Sequence, residues 1–98
     1  MRTTKNMDYI YDDNGQPILI DLLQKDTREK VIAYFVQCRK EKKMTQADIA
    51  RRTGIPRTNI TRFESGRYNP SLEMLVKIAA ALDMKLELIL KQLHSEEN

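Results

Sequence analysis

The 98-residue sequence has few metal-ligating or nucleophilic thiol and imidazole groups to offer: one cysteine, Cys38, and one histidine, His94. A single thiol excludes an internal disulfide, and one cysteine with one histidine cannot build a Cys/His metal site. Tryptophan is absent, and glycine and proline number only three each. No glycine-rich phosphate loop, nucleophile motif, internal repeat or low-complexity tract is present. With its only histidine in a polar tail, the chain is not expected to be an enzyme, and no cofactor is called for. No apolar run is long enough to span a membrane. The start, MRTTKNMDY, lacks the apolar core of a signal peptide, so a cytoplasmic location is expected rather than secretion or a membrane.

What is present is charge. Charged residues make up 32% of the chain and hydrophobic residues 41%, the composition of a soluble globular domain rather than a disordered segment. The length suits one small domain with appendages, and a domain of this size buries a modest share of its surface, so a partner subunit is a plausible source of stability. The net charge of +3 is unevenly placed. Residues 39–67 carry nine Lys/Arg against three Asp/Glu, a balance of +6, whereas residues 1–38 stand at −1 and residues 68–98 at −2. A basic centre between acidic ends fits a polyanionic partner, because phosphate contacts and counterion release favour clustered cations. A solvated charged face is the plainer explanation.

Along the chain, Asn14-Gly15 lies between two β-prone runs, Tyr9-Ile10-Tyr11 and Pro17-Ile18-Leu19-Ile20. This reads as a short hairpin or a docked extended arm. Asp26 or Thr27 can cap a helix that runs to about Lys42, with Val31, Phe35 and Cys38 at helical spacing and Tyr34 beside them. Cys38 is a small core residue in this reading. Thr45 opens a second helix with Asp48 near its start, and Ala47, Ile49 and Ala50 form its apolar side. Gly54 ends it and Pro56 starts a third. There Ile60 and Phe63 face inward, while Arg57, Thr58, Thr61 and Arg62 fall on the opposite side, and Gly66 closes the helix. After Asn69-Pro70-Ser71 a fourth helix runs from about Leu72 to Leu82, its apolar stripe being Leu72, Leu75, Ala79 and Leu82 with Ile78 alongside. The period then changes to two: Met84, Leu86, Leu88 and Leu90 alternate with Lys85, Glu87, Ile89 and Lys91. That alternation predicts a strand, with a fifth helix as the competing assignment.

Two short helices joined by a glycine turn make a helix-turn-helix, which holds small polar and basic side chains outward where they can reach base edges. The residues that build it are Thr45-Gln46, Ile49-Ala50, Gly54-Ile55-Pro56, Ile60, Phe63-Glu64, Gly66, Pro70 and Leu75. In order and spacing they resemble the lambda-repressor-like (Cro/repressor) helix-turn-helix family over about half the chain. Asp83 departs from that pattern, where glycine is usual, yet Asp tolerates a left-handed cap better than most residues. The resemblance implies a compact all-α domain of four to five helices, to which the residue patterns add a short C-terminal strand and the N-terminal hairpin or arm. The segments are an arm at 1–24, the helix-turn-helix domain at 25–83, a dimerisation strand at 84–91 and a flexible tail at 92–98.

The resemblance also implies roles. Gln46 would bind a phosphate through its amide and the helix N-terminus. Arg57, Thr58 and Arg62 occupy the base-reading places. Arg57 or Arg62 suits guanine O6 and N7, and Thr58 a thymine methyl. Asn59 and Thr61 flank that face. Arg67, Tyr68 and Asn69 follow the recognition helix, where the family grips phosphate. Lys43, Arg51 and Arg52 are weaker candidates for DNA contact. Arg39 and Glu64 fall where the family places a partly buried ion pair, a structural role.

The C-terminal strand, if unpaired, exposes Leu86, Leu88 and Leu90 and invites aggregation. Two copies could pair these strands across a two-fold axis, or the strand could pair with the 9–20 segment of its own chain. Small antitoxins of toxin–antitoxin operons within the family dimerise through such a strand. The expectation is therefore a homodimeric repressor on a palindromic double-stranded DNA operator, in its sharpest form an antitoxin with a cognate toxin as partner. A phage or restriction-system regulator is the alternative within DNA binding, and a protein-interaction module without DNA binding is the alternative outside it.

Overall fold

A computed structural model describes residues 9–93. The first eight residues of the expected arm and residues 94–98 of the expected tail, His94 among them, lie outside the described residues.

The chain opens as a hairpin. Strand β1 (Tyr9–Tyr11) pairs antiparallel with β2 (Pro17–Leu19), Ile10 opposite Ile18. Asp12 organises the turn: its Oδ1 accepts from the amides of Asn14 and Gln16, each at 2.9 Å. Gly15 N donates to Asp12 O at 3.0 Å.

β2 passes straight into helix α1 (Ile20–Glu41). The expected start at Asp26 or Thr27 is therefore wrong by about two turns, and residue 24 lies inside the helix. Leu22, Leu23, Gln24 and Lys25 are good helix formers with no breaker among them. Asp26 pairs with Lys30 one turn on, at 3.1 Å, instead of capping. No side chain caps the true start, where Leu19 holds the N-cap position, so no local signal marks it. The same helix buries Ile32, Phe35 and Cys38 but leaves Tyr34 58% exposed, outside the stripe expected for it.

Helix α2 (Gln46–Thr53) begins with a reciprocal cap: Asp48 N donates to Thr45 Oγ1 at 3.0 Å, and Thr45 N donates to Asp48 Oδ2 at 2.8 Å. Its end is Gly54 at φ +79°, followed by Ile55 and Pro56 and then helix α3 (Arg57–Ser65). Helix α4 (Leu72–Ala81) is capped by Ser71 Oγ, which accepts from Met74 N at 3.0 Å. Asp83 closes it in the left-handed region, at φ +60°.

Ile49, Ile60, Phe63 and Leu82 are fully buried at the centre of the core, and Phe63 meets Phe35 edge-on with ring centroids 5.6 Å apart. Leu72, expected in the α4 stripe, is 58% exposed, and Ala47 also faces solvent. The buried set on α4 is Ile78, Ala79 and Ala81, joined by Leu82.

After α4 the chain forms neither helix nor strand through residues 84–92. No fifth helix forms there, and the segment does not join the hairpin, whose sheet has two strands. The expected strand is thus not formed within the described chain. A strand is defined by a neighbour to hydrogen-bond with, and none is at hand. Leu86 is half-buried against the core, whereas Leu88, Ile89 and Leu90 are exposed. Among the described residues, no helix is long and apolar enough to cross a membrane.

Candidate nucleic-acid interface

The corner between α2 and α3 is held by local chemistry. Gly54 adopts a conformation that any side chain would strain. Thr53 Oγ1 donates to Ile49 O at 2.8 Å and accepts from Ile55 N at 3.1 Å, so the polar backbone of the turn is satisfied. Ile60 and Phe63 anchor the inner side of α3, and the helical period then turns Arg57, Thr58, Thr61 and Arg62 outward, where all four are exposed.

A chain of polar contacts stiffens this corner. Arg39 donates from Nε to Glu64 Oε2 at 2.7 Å and from Nη2 to Glu64 Oε1 at 2.9 Å, and Nη1 reaches Met44 O at 2.8 Å. The two side chains are only 12% and 11% exposed. This bidentate pair ties α1 to the end of α3. Gln46 Nε2 donates to Glu64 Oε1 at 2.9 Å, and Thr61 Oγ1 donates to Gln46 Oε1 at 2.7 Å. Gln46, placed in the sequence as a phosphate ligand, is thus held by two residues of α3, with one amide N–H left over.

The remaining candidates divide into free and engaged. Among the described residues, the side chains of Arg57, Thr58 and Arg67 make no hydrogen bond or ion pair. Arg62 lies over the Tyr68 ring, its guanidinium carbon 5.2 Å from the centroid. Tyr68 is half-buried, its hydroxyl directed at Asn59 O and Met74 Sδ, both at 3.4 Å. Asn69 Oδ1 accepts from Arg28 Nη1 at 2.6 Å. Asn59 is half-buried at the margin of the exposed face. Leu88 and Leu90 lie far out on the extended tail, fully open to solvent in the case of Leu90.

Three further arginines have structural partners. Arg51 bonds Asp48 at 2.8 Å. Arg52 donates to Ala81 O at 3.0 Å and lies 3.9 Å from Asp83, which places a cation at the C-terminal end of α4. Arg28 supports the loop after α3, and its Nε is buried without a partner. The Arg28–Asn69 and Arg52–Ala81 contacts span 41 and 29 residues, and nothing in the sequence near either arginine signals them. The Asp48 carboxyl is held down at about 2, first by the Thr45 amide, then by the Arg51 side chain and the Thr45 hydroxyl.

The profile of the Helix-turn-helix family matches residues 36–89. An uncharacterized HTH-type transcriptional regulator of Archaeoglobus fulgidus is 46% identical over 44 residues, which is 45% of this chain and 62% of that protein. The immunity repressor of Bacillus phage phi105 is 39% identical over 51 residues, 52% of this chain and 35% of that protein. The ImmF control region 10 kDa protein of the same phage is 34% identical over 61 residues, 62% of this chain and 68% of that protein. The chain thus spans less than two thirds of the archaeal relative and about a third of the immunity repressor. No solved structure gives a significant match. The match to the family covers more than half of the chain and includes the α2–α3 corner, and this chain belongs to the helix-turn-helix family.

Proposed function

We propose that this protein is a transcriptional regulator that binds double-stranded DNA in a sequence-specific manner, with α3 in the major groove. The observation that carries this reading is the exposed row of Arg57, Thr58, Thr61 and Arg62 on a short helix whose other side is locked into the core. Arg57 and Arg62 suit guanine, with Arg62 preset by its stacking on Tyr68. Arg67 and the spare N–H of Gln46 suit phosphates, and Tyr68 and Asn69 support from behind. A single such helix reads only a few base pairs, so a homodimer on a palindrome, with half-sites about one helical turn apart, completes the mechanism. The relative named an immunity repressor favours repression as the outcome.

Selection of bound sequences from random duplex DNA tests this directly. The expected result is an enriched palindrome whose affinity falls steeply with salt. Replacing Arg57 and Arg62 together by Ala should cost about 2–6 kcal/mol if each reads a base bidentately. Unchanged affinity for the selected sequence would remove both from the base-reading set.

A second reading adds a toxin partner and makes the chain an antitoxin. It is favoured by apolar side chains left open on the hairpin and the start of α1, notably Tyr9, Ile10, Tyr11 and Leu22. Co-expression with the neighbouring gene product distinguishes the two: a stable, growth-protecting complex supports the antitoxin, and its absence leaves the regulator alone.

A further inference from the structure

Building on the reading that α3 enters the major groove, we infer that Thr61 is a specificity-determining residue that can only accept a hydrogen bond from DNA. It therefore selects an amino-bearing base, adenine or cytosine, over a keto-bearing one, guanine or thymine, at one position of the bound sequence.

The direction of each bond in the corner network is fixed, starting from a group that can only donate. The Arg39 guanidinium has donors and no acceptor. It clamps Glu64 through two bonds, at 2.7 and 2.9 Å. Both Glu64 oxygens accept from that clamp, and a carboxylate has no donor of its own. The Gln46 group that faces Glu64 Oε1 at 2.9 Å must therefore be its NH2. This turns the Gln46 carbonyl toward Thr61, 2.7 Å from Oγ1. A threonine hydroxyl has one proton, and here that proton is consumed by Gln46. What Thr61 presents outward, at an exposed position on the groove-facing side of α3, is an oxygen with lone pairs and no donor.

The major-groove edge separates bases by this property. Adenine N6 and cytosine N4 donate, whereas guanine O6 and thymine O4 accept. An amino group opposite Thr61 gains a hydrogen bond. A keto oxygen there meets a second acceptor, and both are left unsatisfied. Gln46 is thus a positioning residue for specificity: it fixes what Thr61 can read. Without it the hydroxyl rotates freely and can donate as well as accept.

The test is selection from random duplex DNA with four full-length proteins: the wild type, T61V, T61S and Q46M. Val keeps the shape of Thr without the oxygen, Ser keeps the hydroxyl, and Met fills the place of Gln without hydrogen bonds. The wild type should show one position where adenine or cytosine exceeds guanine or thymine by roughly threefold to tenfold. T61V should erase the preference at that position alone, T61S should retain it, and Q46M should relax it to all four bases. A Gln46 that served only to hold the fold would weaken binding to every sequence alike and leave the preference intact, which overturns the inference. So would a T61V selection identical to the wild type, or a Thr61-dependent preference for guanine or thymine. Failure of all four proteins to select any sequence overturns the major-groove reading itself, which is a different result from a selected sequence indifferent to Thr61.

Discussion

Arg39 is the side chain whose removal would reach furthest. Its guanidinium fills three hydrogen bonds, two to Glu64 and one to Met44 O, at 12% exposure. Truncation strands a largely desolvated carboxylate, left with the Gln46 amide as its one side-chain donor among the described residues. Arg39→Ala should lower unfolding free energy by about 3 kcal/mol, as expected when one partner of a buried pair is lost. The double variant R39M/E64L should be more stable than either single truncation, because it leaves no uncompensated charge. Urea titrations of the wild type, R39M, E64L and the double variant give the cycle, and additive losses would show that the pair is not coupled. Asp48 makes a separate residue-level case. Its carboxyl is depressed from 3.8 to about 2, chiefly by the Thr45 amide. A depressed carboxylate stabilises the folded state above its unfolded value, and that stabilisation is lost as pH falls through the folded one. The lead in melting temperature of the wild type over D48N should therefore hold above about pH 5 and shrink between about pH 4 and pH 2. Circular-dichroism melts across that range check it, and a lead that does not change with pH would mean that the charge of the cap contributes nothing.

Among the elements, the α2–α3 corner depends most on a single backbone conformation. Gly54 sits at φ +79°, and a Cβ added there would meet no atom within 4 Å. The cost of Gly54→Ala is therefore purely conformational, about 1–2 kcal/mol, and Gly54→Asn should cost less because Asn tolerates this region. Thermal unfolding ranks the three, and an Ala variant as stable as Gly would contradict the left-handed turn. The same contrast between local and distant causes explains what the sequence makes legible. Helices α2, α3 and α4 are readable because their signals are local: Thr45 with Asp48, Gly54 before Pro56, Ser71 after Pro70. The start of α1 is not, because Leu19 caps nothing and Asp26 imitates a cap while serving as an i,i+4 partner of Lys30. Of the candidate interface, the outward side of α3 follows from the burial of Ile60 and Phe63. The engagement of Tyr68, Asn69 and Gln46 does not, because each is held by a residue that the sequence places six or more positions away.

At the scale of the whole molecule the open question of surface lies with the C-terminal segment, and the proposal that it joins two copies has a definite energetic form. Leu86 packs against the core and, with Tyr34, Phe35, Cys38, Ala79 and Leu82, lines a small pocket, so it belongs to the fold of one chain. Leu88 at 69% and Leu90 at 100% exposure contribute nothing to that fold. Antiparallel pairing of two such segments would satisfy their free backbone groups and cover both leucines at once. The substitutions separate accordingly. L88E/L90E should leave the stability of a dilute single chain within about 0.5 kcal/mol of the wild type, as surface changes usually do. It should yield a monomer in sedimentation equilibrium under conditions where the wild type is expected to sediment as a dimer, and it should weaken binding to a two-half-site operator far more than to one half-site, because the proposed tether between the two recognition helices is gone. L86A should do the reverse, lowering stability by about 1 kcal/mol through lost packing while the glutamate-free tail still pairs. A double variant that remains dimeric would move the interface away from the tail, to the apolar side chains of the hairpin.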